Sequence, residues 1–81
     1  MTLRLKDAEI ENLHEYPAHM VASLRHALRN GATAEPDPKR RNFYEVRVNG
    51  HCFYIDVLPE GHKVILLGAW PNGIDDKSLK L

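Results

Sequence analysis

The alternation of apolar and polar positions between residues 43 and 70 predicts two consecutive β-hairpins. The dipeptide Asn49-Gly50 favours a two-residue type I′ turn, because both central residues of that turn need a positive φ. Counting outward from this turn fixes the register of the two strands. The predicted pairs are Val48 with His51, Arg47 with Cys52, Val46 with Phe53, Glu45 with Tyr54, Tyr44 with Ile55 and Phe43 with Asp56.

A second turn is predicted at Pro59-Glu60-Gly61-His62, where proline and glycine supply the turn conformations. Strand parity then pairs Val57 with Val64, Ile55 with Leu66 and Phe53 with Gly68. One face, the core face, would carry Val46, Phe53, Ile55, Val64, Leu66 and Trp70. The opposite face, called the outer face below, would carry Tyr54, Ile65, Leu67 and Ala69. Because a solvated sheet face is normally polar, this apolar strip is the strongest functional clue.

Two helices are predicted ahead of the hairpins. Asp7 is suited to cap a first helix, which carries Ala8, Ile10 and Leu13 and ends at Pro17. A second helix would run from Pro17 to Asn30, with Gly31 as a left-handed C-terminal cap. Its apolar residues recur at helical spacing, at Met20, Val21, Leu24, Ala27 and Leu28.

The remaining segments complete a small α+β domain. Residues Thr2 to Leu5 are consistent with a short strand, and the prolines between Ala32 and Arg41 predict a loop. The predicted fold is therefore two helices packed on one face of a three- or four-stranded antiparallel sheet, in the order (β)ααβββ. The domain would span residues 1–73, followed by a flexible C-terminal tail at 74–81 or a short helix there.

Composition narrows the class of protein. Eleven basic and eleven acidic residues cancel, which removes the global charge argument for binding nucleic acid or membranes. One cysteine in 81 residues excludes an intramolecular disulfide and fits a reducing compartment. No apolar run is long enough to span a membrane, and the first residues lack the order of a signal peptide. We therefore expect a cytoplasmic protein.

The residues capable of metal or nucleophilic chemistry are poorly placed for it. His19 and His26 share a helix face but lie seven residues apart, about 10 Å along the axis, too far to bind one ion directly. His51 and Cys52 are adjacent on a strand, so their side chains point to opposite faces and cannot form a catalytic dyad. The sequence therefore predicts no metal, no cofactor and no catalytic residue.

A basic run lies just before the first hairpin. Lys39, Arg40 and Arg41, with Arg47 on the following strand and the aromatic residues Phe43 and Tyr54 nearby, fit a surface that binds RNA phosphates and bases. The alternative, favoured by the neutral net charge, is a solvated loop together with an ion pair from Arg47 to Glu45 or Asp56.

The segment order also resembles that of one protein family. Asp7-Ala8-Glu9 and Leu13 precede the break at Pro17, Leu24 and Leu28 follow, and then come Tyr44-Glu45-Val46-Arg47-Val48, Phe53-Tyr54-Ile55-Asp56 and Val64-Ile65-Leu66-Leu67. This order resembles the RelE/ParE toxin superfamily of bacterial toxin-antitoxin systems, which implies a short strand, a helical hairpin and a curved antiparallel sheet. Arg47 matches an arginine of that family's first hairpin strand.

Two departures bear on the activity that this resemblance implies. His51 or Cys52 stands where a second arginine is expected, and Trp70-Pro71-Asn72-Gly73 lacks the arginine, tyrosine or histidine expected near the end of the last strand. Cleavage of RNA needs a positive clamp on the phosphate and a general acid or base within reach. The resemblance therefore implies a non-catalytic relative.

Together these patterns predict macromolecular association through the outer face, with Tyr54, Ile65 and Leu67 as protein-binding residues. Two functional alternatives remain: an RNA-binding or RNA-cleaving toxin using Lys39, Arg40, Arg41 and Arg47, and a homodimerising or subunit-like protein. A structural alternative is that Ile74, Leu79 and Leu81 fold back over the strip.

Overall fold

The computed structural model describes residues 1–59 and 62–71 as a six-stranded mixed sheet with one α-helix on one face. The strand order is β1-β3-β4-β5-β6-β2, and every neighbouring pair is antiparallel except β2 with β6. The predicted architecture of two helices on a three- or four-stranded antiparallel sheet is therefore wrong. The elements are β1 (Thr2–Leu3), β2 (Glu9–Ile10), a 3-10 helix (Leu13–Glu15), α1 (Ala18–Asn30), β3 (Ala32–Pro36), β4 (Phe43–Val48), β5 (His51–Val57) and β6 (Lys63–Pro71).

The predicted first helix is replaced by β2 and the short 3-10 helix. Glu9 N donates to His62 O at 2.7 Å and Glu11 N donates to Val64 O at 2.8 Å. This segment therefore supplies hydrogen-bond donors to carbonyl groups along the edge of β6. Ala8 and Ile10 are both buried. Residues two apart share a face of a strand, whereas a helix would turn them to different sides. Pairing with an available strand edge decides the conformation.

The predicted loop from Ala32 to Arg41 is also wrong in its first half, which forms β3. Ala32 and Ala34 are buried, whereas Thr33 and Glu35 are exposed, which is the two-residue period of a strand. β3 pairs antiparallel with β4, and Pro36 is its last residue. Proline has no backbone N–H to donate to a neighbouring strand, and the last residue of a strand tolerates this loss.

Helix α1 spans the residues predicted for the second helix and begins directly after Pro17. Val21, Leu24 and Leu28 are buried, as the spacing of apolar residues predicts. At its C-terminal end, Arg29 donates from Nε and Nη2 to Ala8 O, at 3.2 and 3.0 Å. This contact ties the helix to the segment that leads into β2.

The first hairpin has the predicted register at all six pairs. Its turn has positive φ at both central residues, 45° at Asn49 and 82° at Gly50. The core contains the predicted residues Val46, Phe53, Ile55, Val64 and Leu66, all at most 1% exposed. The core therefore lies between α1 and the face that the hairpin register identified.

The second hairpin follows the predicted register only in part. Val57 pairs with Val64 and Ile55 with Leu66, but the register then shifts, and Phe53 pairs with Ala69 instead of Gly68. Leu67 is the extra residue, and the result is a β-bulge.

The bulge reverses the parity of the rest of β6. Ala69, predicted on the outer face, packs against the core. Trp70, predicted on the core face, pairs with Cys52 and lies on the outer face. The predicted tail at residues 74–81, the boundary at residue 73 and part of the turn after Pro59 lie outside the described residues.

Candidate interaction surface

Three cross-strand rows of side chains form the middle part of the outer face, the side of the sheet away from α1. Each row is a line of residues paired across neighbouring strands, so its members are direct neighbours. The first row is Phe43, Asp56 and Ile65; the second is Glu35, Glu45, Tyr54 and Gly68; the third is Thr33, Arg47, Cys52 and Trp70.

The β6 end of the third row is apolar and buried from solvent. Trp70 and Cys52 are each 6% exposed, although they belong to the face away from the helix. The indole lies over Gly68, because a Cβ atom built on that glycine would stand 3.3 Å from Trp70 Cζ3. Gly68 therefore gives the ring room to lie against the backbone of its own strand. The buried thiol of Cys52 lies beside it in the same row.

The centre of the outer face carries a charge cluster. Arg47 Nη1 lies 3.3 Å from Glu35 Oε1, and Arg47 Nη2 lies 3.6 Å from Glu45 Oε1. Glu35 and Glu45 are paired neighbours, so the guanidinium offsets the repulsion between two like charges. The pKa of Arg47 is raised, chiefly by its hydrogen bond to Glu35 and next by its hydrogen bond to Cys52. The predicted contact with Glu45 is confirmed, whereas Glu35 was missed because β3 was predicted to be a loop.

The connection between β3 and β4, residues 37–42, is attached to the outer face. The Tyr54 hydroxyl donates to Asp37 Oδ2, and Lys39 N donates to Asp37 Oδ1 at 2.8 Å. Asp37 N in turn donates to Phe43 O at 2.8 Å. The hydrogen bond from Tyr54, followed by that from Lys39 N–H, lowers the pKa of Asp37 below its ordinary value of 3.8. The basic run is therefore presented on an ordered turn, called the basic turn below.

Aromatic rings lie beside the basic turn. The rings of Phe43 and Tyr54 are tilted against each other with centroids 5.7 Å apart. Arg40 Cζ lies 5.6 Å from the centroid of Phe43, which is cation–π geometry. The side chains of Lys39, Arg40 and Arg41 are exposed. The structure therefore brings Arg40 to the aromatic pair, whereas Arg47 lies two rows away against its glutamates.

The predicted protein-binding residues lie at the β6 side of the outer face. Tyr54 and Ile65 are half-buried in neighbouring rows, and Leu67 is the bulged residue between Leu66 and Gly68. Leu67 is 44% exposed, and in the described ranges 1–59 and 62–71 only one other large apolar residue, Met1, is classed as exposed. The apolar strip is thus smaller than predicted, because Ala69 has left it for the core.

A concave region lies beside the C-terminal half of α1. This open cleft of about 540 Å³ is lined in part by Ser23, His26, Thr33 and Asn49. It also adjoins Gly31, where the helix ends and its carbonyl dipoles carry partial negative charge. Arg47 also lines the cleft, and its positive charge opposes this dipole, so the charge of the cleft favours no one class of ligand.

The residues that the sequence suggested for chemistry remain apart. His51 lies near the Phe53 ring, with centroids 6.3 Å apart, while Cys52 belongs to the outer face, as strand alternation predicted. In the described part of the chain, no three His, Cys, Asp or Glu side chains are grouped to hold a metal ion. The same residues include no helix with the length and apolar composition needed to cross a membrane.

Comparison with known proteins gives no relative: no model of a protein family, no curated sequence and no solved structure matches this chain.

Proposed function

We propose that this protein acts without catalysis, by binding another protein through the outer face. The observation that supports this most directly is Leu67, which is 44% exposed beside the half-buried side chains of Ile65 and Tyr54. Fully burying a leucine contributes about 1.5–3 kcal/mol, so completing the burial of Leu67 would supply part of a binding energy. A second copy of the chain and an unrelated protein are both candidates for the partner.

The charges of the outer face favour a protein over RNA as the partner. The three rows contain Glu35, Glu45 and Asp56 against Arg47, and Arg47 already contacts two of these carboxylates. The next row pairs Lys63 with Glu9, and Lys63 also contacts Glu11. A phosphate backbone crossing the rows would meet repulsion from the carboxylates, and phosphate contacts supply most non-specific affinity for nucleic acid. An RNA-cleaving toxin would also need a positive charge to bind the phosphate, and Arg47 already contacts Glu35 and Glu45.

The RelE/ParE resemblance remains a proposal of kinship. It is supported by the strand arrangement from Tyr44 to Leu67 and weakened by the single α-helix within the described residues. A cytoplasmic location likewise stays a prediction, resting on the single cysteine.

The test is a Leu67→Glu variant compared with Ala22→Glu. Ala22 is exposed on α1, so this control adds the same charge on the opposite layer of the protein. Sedimentation velocity would detect self-association, and quantitative mass spectrometry of tagged protein purified from its own cells would detect another partner. We expect the complex to be lost in Leu67→Glu and retained in Ala22→Glu, with both variants nearly as stable as the parent.

Three outcomes would contradict the proposal. The first is a complex that survives equally in both variants, and the second is that the parent forms no complex. The third is a Leu67→Glu protein that is monomeric like its parent and less stable by several kcal/mol, which would mean that the chain itself covers the strip and that the substitution buries a carboxylate.

A further inference from the structure

The positive charge of the basic turn is not balanced by ion pairs within the described residues. Arg47 and Lys63 each contact a carboxylate, whereas Lys39, Arg40 and Arg41 form no ion pair in the parts of the chain that the structure describes. Asp37 lies near Arg40 and offsets part of this charge, while its two carboxylate oxygens accept hydrogen bonds from Tyr54 and from Lys39 N. Three neighbouring exposed cations with one nearby carboxylate therefore leave the turn positive, on a chain whose formal charges sum to zero.

The turn is also held in position relative to the outer face. Asp37 joins it to Tyr54, and Arg40 lies against Phe43, the first-row residue whose cross-strand neighbours are Asp56 and then Ile65. A partner that covered Ile65 and Leu67 and continued across β5 and β4 would arrive at the basic turn. An ordered charge loses less side-chain entropy on binding than a freely mobile one.

We propose that the partner of the outer face is an acidic polypeptide segment, in which apolar side chains cover Ile65 and Leu67 and carboxylates bind Lys39, Arg40 and Arg41. This inference rests on the proposed function and adds the chemical class of the partner. Charge complementarity at the rim of an interface mainly selects the partner and raises the association rate, while apolar burial supplies most of the affinity.

RNA is the competing ligand for a basic turn beside aromatic rings, and the structure favours it less. One face of the Phe43 ring is already covered by Arg40, so a base could stack there only by displacing the guanidinium. Beyond the turn, the rows present Glu35, Glu45 and Asp56, and their cation Arg47 already contacts both glutamates. A polypeptide can carry carboxylates only where it meets the turn, whereas a nucleic acid carries a negative charge on every nucleotide.

The experiment titrates the isotope-labelled full chain with three probes and follows the backbone amides by NMR. The probes are a peptide of about a dozen residues with leucines in one half and glutamates in the other, the same peptide with lysine in place of glutamate, and a single-stranded oligouridylate of similar length. Only the acidic peptide should bind, with a Kd of about 1 mM or tighter, and should shift the amides of residues 37–43 together with those of Ile65 and Leu67.

Variants separate the contributions of the turn and the strip. Lys39→Gln with Arg41→Gln leaves the Arg40 to Phe43 contact in place, and it should weaken binding several-fold and flatten its dependence on salt. Lys6→Gln with Arg25→Gln removes the same charge elsewhere and should leave binding unchanged. Leu67→Glu should weaken binding independently of the turn.

The outcomes distinguish this inference from the proposed function. If the acidic peptide fails to bind, or binds the Lys39 and Arg41 double variant as tightly as the parent, the acidic-partner proposal is wrong. Tighter binding of oligouridylate than of the acidic peptide would also overturn it in favour of RNA. Binding that requires the turn but is unaffected by Leu67→Glu would contradict the proposed function of the outer face. The preference of the basic turn for carboxylates would still stand.

Discussion

Asn12 makes the most specific contact that holds β2 and the 3-10 helix to the sheet. Its side-chain Nδ2 donates to Leu66 O at 2.7 Å, and its Oδ1 accepts from Leu66 N at 2.9 Å. The amide thus continues the pairing of Glu9 and Glu11 with β6 after the backbone of β2 has turned away. Removing this amide should unpair both polar groups of one β6 residue at once.

The cost of Asn12→Ala follows from the burial of that residue. Leu66 is 1% exposed, so water would have poor access to the N–H and carbonyl groups left behind. Each lost hydrogen bond costs about 0.5–1.5 kcal/mol, and a buried group left unsatisfied costs about 1–3 kcal/mol. Because water can reach part of a strand edge, we expect a total of about 2–3 kcal/mol, a decrease in Tm of roughly 10–20 °C for a chain of this size.

Urea denaturation followed by the fluorescence of Trp70, the single tryptophan, measures this loss. Asn12→Asp should be at least as destabilising at neutral pH, because it keeps the acceptor but places a carboxylate oxygen against Leu66 O. The control Asn30→Ala removes an exposed side chain that donates to His26 O within the helix, and should cost less than about 1 kcal/mol. If Asn12→Ala were within about 0.5 kcal/mol of the parent, and hydrogen exchange at Leu66 were unchanged, the contact would have no structural role.

Two further predictions concern the core and the basic turn. Phe53 is 1% exposed, so Phe53→Ala should cost about 3–5 kcal/mol in urea denaturation, whereas half-buried Phe43→Ala should cost clearly less; equal losses would refute the assigned faces. Tyr54→Phe removes the main cause of the lowered Asp37 pKa, so NMR titration should show that pKa rising toward 3.8; an unchanged value would mean that the hydroxyl does not contact Asp37 in solution. Because the folded-state pKa is lowered, the stability from this contact is present above the unfolded pKa and is lost as the pH falls through the folded pKa.

The successful part of the sequence prediction is the part determined by local backbone chemistry. Asn49-Gly50 specified a turn type, the turn fixed the register of β4 and β5, and strand alternation then identified the core face. Helix α1 was equally local, because Pro17, Gly31 and a regular apolar stripe define it without reference to the rest of the chain.

The segments predicted wrongly depend on strand partners and carry a weak signal of their own. β2 exists because β6 offers an edge more than fifty residues away, whereas β3 pairs with β4, the next strand along the chain. Two-residue strands and an alanine-rich strand ending in proline carry little sequence signal of their own. Missing β3 also hid Glu35, and with it the reason why Arg47 is not available as a free cation.

The same bulge that broke the predicted register also determines the candidate surface. A regular strand would have turned Trp70 into the core and left Ala69 on the outer face, as the sequence pattern suggested. The extra residue instead sends Ala69 inward and lets the Trp70 indole lie over Gly68, while Leu67 is exposed as the regular pattern also predicted. The bulge therefore reduces the exposed apolar strip to a few residues. A patch of that size cannot supply specificity through apolar area alone, so under the proposed function the discrimination between partners would come from the charges at its rim, which we propose are those of the basic turn.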